Sequence, residues 1–150
     1  MHGYTISTDK GLLDRHAIHA FLREAYWSPG VPFEVVDASI DRSLAFGLYA
    51  PDGAQAGFAR AVTDGAAFGY LGDVFVLEEH RGRGLGKWLV ETVLAHPDLT
   101  RARRLMLATA DAHSLYERFG FGPADPERLM ELVRTPEELW GPVPERGGQG

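Results

Sequence analysis

The chain has no cysteine in its 150 residues. That absence excludes a disulfide framework, a thiolate metal site and a cysteine nucleophile. Positive charge is in the minority: 15 Lys and Arg stand against 21 Asp and Glu, a net charge of −6 at pH 7. A balance of that sign argues against nucleic acid as the main partner. No apolar run approaches the length of a membrane span, and Met1-His2-Gly3-Tyr4 lacks the charged and apolar regions of a signal peptide. A cytoplasmic protein without membrane attachment is the expectation. His2, His16, His19, His80 and His96 show no metal-ligand spacing beyond His16-x-x-His19, and no third ligand accompanies that pair, so no metal is expected. What is present is ordinary for a globular chain. Hydrophobic residues make up 45% and charged residues 24%, and the length suits one domain with a sizeable core.

The pattern along the chain divides into strands and helices with clear punctuation. Tyr4 to Ser7 alternates as a short strand, and Thr8 or Asp9 is placed to cap the helix that follows. Leu12, Leu13, His16, Ile18, His19, Leu22 and Tyr26 fall on helical spacing until Ser28-Pro29-Gly30-Val31-Pro32 breaks it. Glu34 to Arg42 reads as a second, short helix. Leu44–Ala50 and Ala54–Val62 form a hairpin around Pro51-Asp52-Gly53, and Asp64-Gly65 turns the chain into a long strand from Ala67 to Leu77. A helix from Gly84 to Ala95, a strand from Leu105 to Thr109, a helix from Asp111 to Phe119 and a last strand from Leu129 to Arg134 follow. Pro136 to Trp140 suggests one more turn of helix. These elements predict one α/β domain over residues 1–140, with a mixed, mostly antiparallel sheet and helices on both faces. The Gly- and Pro-rich stretch 141–150 is expected to be a disordered tail.

The most specific stretch is Arg81-Gly82-Arg83-Gly84-Leu85-Gly86-Lys87, between the long strand and a helix. A glycine-rich turn there leaves backbone N–H groups free to cradle phosphate oxygens, and two arginines and a lysine add fixed positive charge. The spacing is G-x-G-x-G, which differs from the G-x-G-x-x-G of dinucleotide folds. Lys87 is followed by Trp88, so the hydroxyl of a Walker A loop is missing. A glycine turn with solvated arginines is the alternative for the motif taken alone.

R-x-x-G-x-G at Arg81–Gly86 directly follows Asp73-Val74-Phe75-Val76. Some thirty residues on comes Leu115-Tyr116-Glu117-Arg118-Phe119-Gly120-Phe121. This pairing resembles the GNAT superfamily of acyl-CoA-dependent N-acyltransferases, over most of the chain from Tyr4 to about Arg134. The resemblance implies that backbone N–H groups of Arg81, Gly82, Arg83, Gly84, Leu85, Gly86 and Lys87 wrap the pyrophosphate of acetyl-CoA. It implies that Phe75 and Val76 offer backbone hydrogen bonds to the pantetheine arm, and that Tyr116 protonates the departing thiolate. Where the family often has Asn to bond pantetheine, this chain has Thr109, whose hydroxyl replaces one amide bond but not two.

Acyl transfer also needs an acceptor and a route for its proton. Asp73, a carboxylate in an otherwise apolar strand, is the first candidate, as base or as anchor for a cationic amine; a structural pairing with Arg60 or a turn is the alternative. His113, one helical turn before Tyr116, is the second, with a solvent-facing position as its alternative. Asp111 reads as the N-cap of the Tyr116 helix. Tyr26, Trp27 and Phe33 flank the Pro/Gly break and, by the resemblance, form the acceptor wall. The expected activity is acetyl transfer from acetyl-CoA to a primary amine of a small molecule or peptide. A non-catalytic acyl-CoA-binding sensor is the rival, and exposed sheet edges make a homodimer plausible.

Overall fold

In a computed structural model, which describes residues 1–142, the chain forms a five-stranded sheet in the order β1-β2-β3-β4-β5. The strands are β1 (Thr5–Ser7), β2 (Leu44–Tyr49), β3 (Gln55–Thr63), β4 (Phe68–Val76) and β5 (Arg104–Met106). The first three pairings are antiparallel and the last is parallel, so the sheet is mixed, as the pattern predicted.

Helices cover both faces. On one side lie α1 (Arg15–Leu22) and α2 (Phe33–Asp41), on the other α3 (Leu85–Leu94) and the short α4 (Pro97–Thr100). Alternation along the strands feeds both faces at once. Ala45, Phe58 and Phe75 pack under Ile18, Leu22, Val36 and Ile40; Phe46, Ala59, Ala61 and Leu71 pack under Leu89, Val93 and Leu99. A third cluster joins Tyr4, Leu48, Ala50 and Ala56 to Leu85, the first residue of α3.

Asp14 caps α1 by accepting from the Ala17 N–H at 3.0 Å, while Asp9 caps the single 3-10 turn before it. The helix stops at Leu22, four residues short of the periodic pattern. From Glu24 onward the bonds become i→i+3, and Gly30, at φ 75°, returns its N–H to the Arg23 carbonyl.

Three later elements differ from the pattern. β5 is three residues long rather than five, because β4 and β5 pair only over Phe68–Tyr70 and then separate. The Tyr116 helix is short, α5 (His113–Glu117), and Asp111 does not cap it: the cap position is Ala112, and the Thr109 hydroxyl accepts from the Ala112 N–H at 3.0 Å instead. Leu129–Arg134, expected as a strand, has no strand pairing among the described residues and is not one. A strand is defined by its neighbour, and among the described residues none pairs with it. The terminal turn of helix is present as α6 (Pro136–Trp140), opened by a Thr135/Glu138 capping box. Of the stretch 141–150, residues 143–150 lie outside the described residues.

Candidate active site

The site is made by a break in strand regularity. Between Phe58 and Arg60 the register of β3 with β4 shifts: Phe58 faces Phe75, but Arg60 faces Gly72. One extra residue on β4 therefore opposes Ala59, a β-bulge, and Asp73 within it has φ 54°. The bulge reverses side-chain parity. Leu71 and Val74 sit against the α3 face, and Phe75 crosses to the α1/α2 face to stack on Phe21 at 4.0 Å. It also turns the strand away from β5, which leaves an opening between the two.

Alternation fixes which backbone groups face that opening. Leu77 N–H donates to Ala56 at 2.8 Å, so Leu77 and Phe75 direct their polar groups toward β3. Those of Val76 point the other way. Its carbonyl accepts from Arg81 Nε at 2.9 Å, and its N–H is left for the opening. Phe75, expected to present backbone groups there, is instead engaged with β3 and contributes its ring to the core.

Beyond β4 the chain runs through a 3-10 turn, where His80 Nδ1 is hydrogen-bonded to the Tyr4 hydroxyl at 2.8 Å. The glycine turn follows. Gly82 and Gly84 have φ of 81° and 77°, a backbone that side chains other than glycine rarely adopt. A Cβ at Gly82 would meet nothing within 4 Å, so open space lies over it. From Gly82 to Lys87 no backbone N–H finds an acceptor among the described residues. Three of these N–H groups form the exposed start of α3, where the helix dipole is positive. Leu85 is buried, so its contribution to the turn is its backbone alone. This donor set suits a pyrophosphate.

At the other end of the opening lies a cavity of about 670 Å³, whose wall includes Tyr26, Trp27, Asp73, Thr109 and Tyr116. Both carboxylate oxygens of Asp73 are engaged. Oδ1 accepts from Trp27 Nε1 at 2.8 Å, and Oδ2 accepts from Arg60 Nε at 2.7 Å. The Arg60 pairing considered from sequence is therefore present, and it sits inside the cavity. Tyr26, 58% exposed, packs edge-on against Trp27, and its hydroxyl accepts from the Ala110 N–H at 3.1 Å. Tyr116 is only 8% exposed, and burial, more than the nearby Tyr26 and Asp111, holds its phenol above the ordinary tyrosine pKa.

The other expected residues are placed elsewhere. His113 is exposed and borders a second cavity of about 590 Å³ along the far side of β5; of the catalytic candidates only Tyr116 borders both. Phe33 stacks on His16 at 4.6 Å and meets His19 edge-on, which also explains the His16-x-x-His19 pair. Lys87 is exposed on the first turn of α3. Sequence reasoning missed Tyr70, Ser39 and Trp140 on the cavity wall. Trp140 had a readable signal in the capping box of α6; Tyr70 became visible only once the bulge set which way β4 faces.

The Acetyltransferase (GNAT) family model matches residues 14–121, which include the bulge, the glycine turn and the Tyr116 helix. The chain belongs to the GNAT acetyltransferase family. A curated relative from Gibberella zeae, named as an acetyltransferase, is 34% identical over 136 residues and covers 75% of each chain. A solved structure from Xanthomonas campestris, assigned to the GNAT acetyltransferases, superposes with a TM-score of 0.85 at 50% identity, covering 89% of this chain and 94% of that one. An acetyltransferase from Clostridium acetobutylicum, solved with acetyl-CoA, reaches a TM-score of 0.63 over 89% of this chain and 96% of its own; at 11% identity it shares the fold alone. No helix among the described residues is long and apolar enough to cross a membrane.

Proposed function

We propose that this GNAT acetyltransferase moves the acetyl group of acetyl-CoA to a primary amine of a small molecule or peptide by direct attack. The observation that carries the reading is the opening between β4 and β5. It has free N–H groups of a glycine turn at one end, and a buried tyrosine beside a carboxylate at the other. When bound, acetyl-CoA supplies an activated thioester.

The chain's residues do the rest. Backbone N–H groups of Gly82 to Lys87 bind the pyrophosphate, and Arg81 and Arg83 add charge at the rim. Arg81 also ties the turn to the end of β4 through the Val76 carbonyl. The Val76 N–H holds negative charge as it develops on a carbonyl oxygen. Thr109 borders the same cavity with its hydroxyl proton available to donate. Tyr26 and Trp27 present aromatic surface to the acceptor. Asp73 draws the amine in, since a carboxylate with two oxygens already bonded retains lone pairs for a third donor. It receives the amine proton directly or through water. Tyr116 keeps its proton at neutral pH and gives it to the departing thiolate. His113, on the far side of β5, has no part in that path.

Thiol release from acetyl-CoA, assayed against pooled polyamines, amino acids, aminoglycosides, arylalkylamines and peptides, tests the reading. Amine-dependent release is expected. Tight CoA binding with no release above background for any pool would favour a binding module instead.

A further inference from the structure

The Arg60–Asp73 ion pair in the active-site cavity leaves part of its guanidinium unused. Nε donates to Asp73 Oδ2 at 2.7 Å, and Nη1 donates to Ser43 Oγ at 3.1 Å. The Nη2 hydrogens have no acceptor among the described residues. Nη2 is not sealed in the core, because among those residues only the Tyr49 hydroxyl is a buried side-chain polar atom without a partner. It opens on the cavity, whose wall includes Arg60.

The residue opposite keeps that opening clear. Gly72 pairs with Arg60 across β3 and β4, so a side chain at 72 would share the face of Arg60. A Cβ there would stand 3.9 Å from Nη2, an ordinary contact. Gly72 is not among the glycines with positive φ, so the backbone does not demand glycine at this position.

The pair sets a positive and a negative group side by side, with little net charge. A simple amine matches only the Asp73 half. A molecule with an amine and a carboxylate on one carbon matches both halves, the carboxylate accepting from Nη2. Around the pair the wall carries apolar surface open to solvent: Tyr26, Trp27, Val35 and Tyr70 are all exposed. Such a wall suits an aromatic or bulky apolar group on the same carbon.

We propose that the acceptor is a free α-amino acid with an aromatic or bulky apolar side chain, its amine at Asp73 and its carboxylate at Arg60 Nη2. This rests on the acetyl-transfer reading and narrows it. The chemistry is that of the reaction above. An N–C bond forms and the C–S bond breaks, the amine proton passes to Asp73 or water, and the thiolate takes the Tyr116 proton. The product is an N-acetyl amino acid.

Phenylalanine, phenylalaninamide and phenethylamine share one skeleton, and kcat/KM for the three on the wild type tests the proposal. Phenylalanine is expected to exceed each of the others by at least about tenfold, the scale of one charge-assisted hydrogen bond. Gly72→Val lays methyl groups over Nη2 and leaves the residues that bond Asp73 in place. It is expected to cut the ratio of phenylalanine to phenethylamine about tenfold, and a ratio is insensitive to a general loss of active protein. Phenethylamine used as well as phenylalanine overturns the proposal and leaves acetyl transfer standing. So does phenylalaninamide used as well, which would point to the N-terminus of a peptide, or release with polyamines alone. An unchanged ratio in Gly72→Val also overturns it. No release with any amine overturns both readings.

Discussion

Two tyrosines show how burial acts on one side chain. Tyr116 and Tyr49 are both buried, and burial is the main cause that raises the pKa of each. For Tyr116 the raised value suits the proposed acid role, because a phenol that keeps its proton remains a competent acid. The folded state binds this proton more tightly than the unfolded one. The stability it contributes is therefore full below the ordinary tyrosine value of about 10 and is lost as pH rises through the higher folded value. Difference absorbance titration of the wild type against Tyr116→Phe is expected to isolate one phenol ionising above the ordinary range; ionisation at or below it would remove the basis for the acid role. Tyr49 has no such use. Its hydroxyl is buried without a hydrogen-bond partner among the described residues, and a Cβ at Gly47 would run into it. An unsatisfied buried hydroxyl costs about 1–3 kcal/mol. Tyr49→Phe is expected to stabilise the fold by about 1 kcal/mol in urea denaturation, and a loss of stability would mean the hydroxyl has a partner.

At the scale of elements, the bulge in β4 accounts for most of what the sequence concealed. Periodicity found β2, β3, α2 and α3 to within a residue or two, because each buries a continuous apolar face. It placed Asp73 in a regular strand, since no glycine marks the φ of 54° that Asp73 adopts. Asp tolerates that conformation better than most residues. From that one position follow the parity switch to Phe75, the separation of β5, and a Phe75 whose backbone faces β3. The Arg81–Lys87 turn was legible because its glycines do a job no other residue can. Tyr26, Trp27 and Tyr116 lie together on the cavity wall, whereas Phe33 and His113 lie outside it; neither the helical pattern nor the resemblance reveals which face is inward. If the bulge depends on this conformation, Asp73→Val is expected to be less stable than Asp73→Gly by about 1–3 kcal/mol. Both variants lose the bonds to Trp27 and Arg60, so the difference reports the backbone. Equal melting temperatures would show that the bulge does not constrain residue 73.

For the whole molecule, the sheet works as a clamp with one open jaw. α1 and α2 on one face and α3 on the other hold β2, β3 and β4 rigidly, and β5 is attached over only three residue pairs. The opening lies where strand pairing fails, and the glycine turn and Tyr116 close its two ends. The account's central claim is that Tyr116 acts on the leaving group and not on binding. Steady-state turnover and CoA affinity, measured together on Tyr116→Phe with an amine that the wild type acetylates, test it most directly. The account predicts that kcat falls at least about a hundredfold, the range of general acid catalysis, while the Kd for CoA stays within about threefold. Unchanged kcat, or a loss confined to CoA binding, would contradict it.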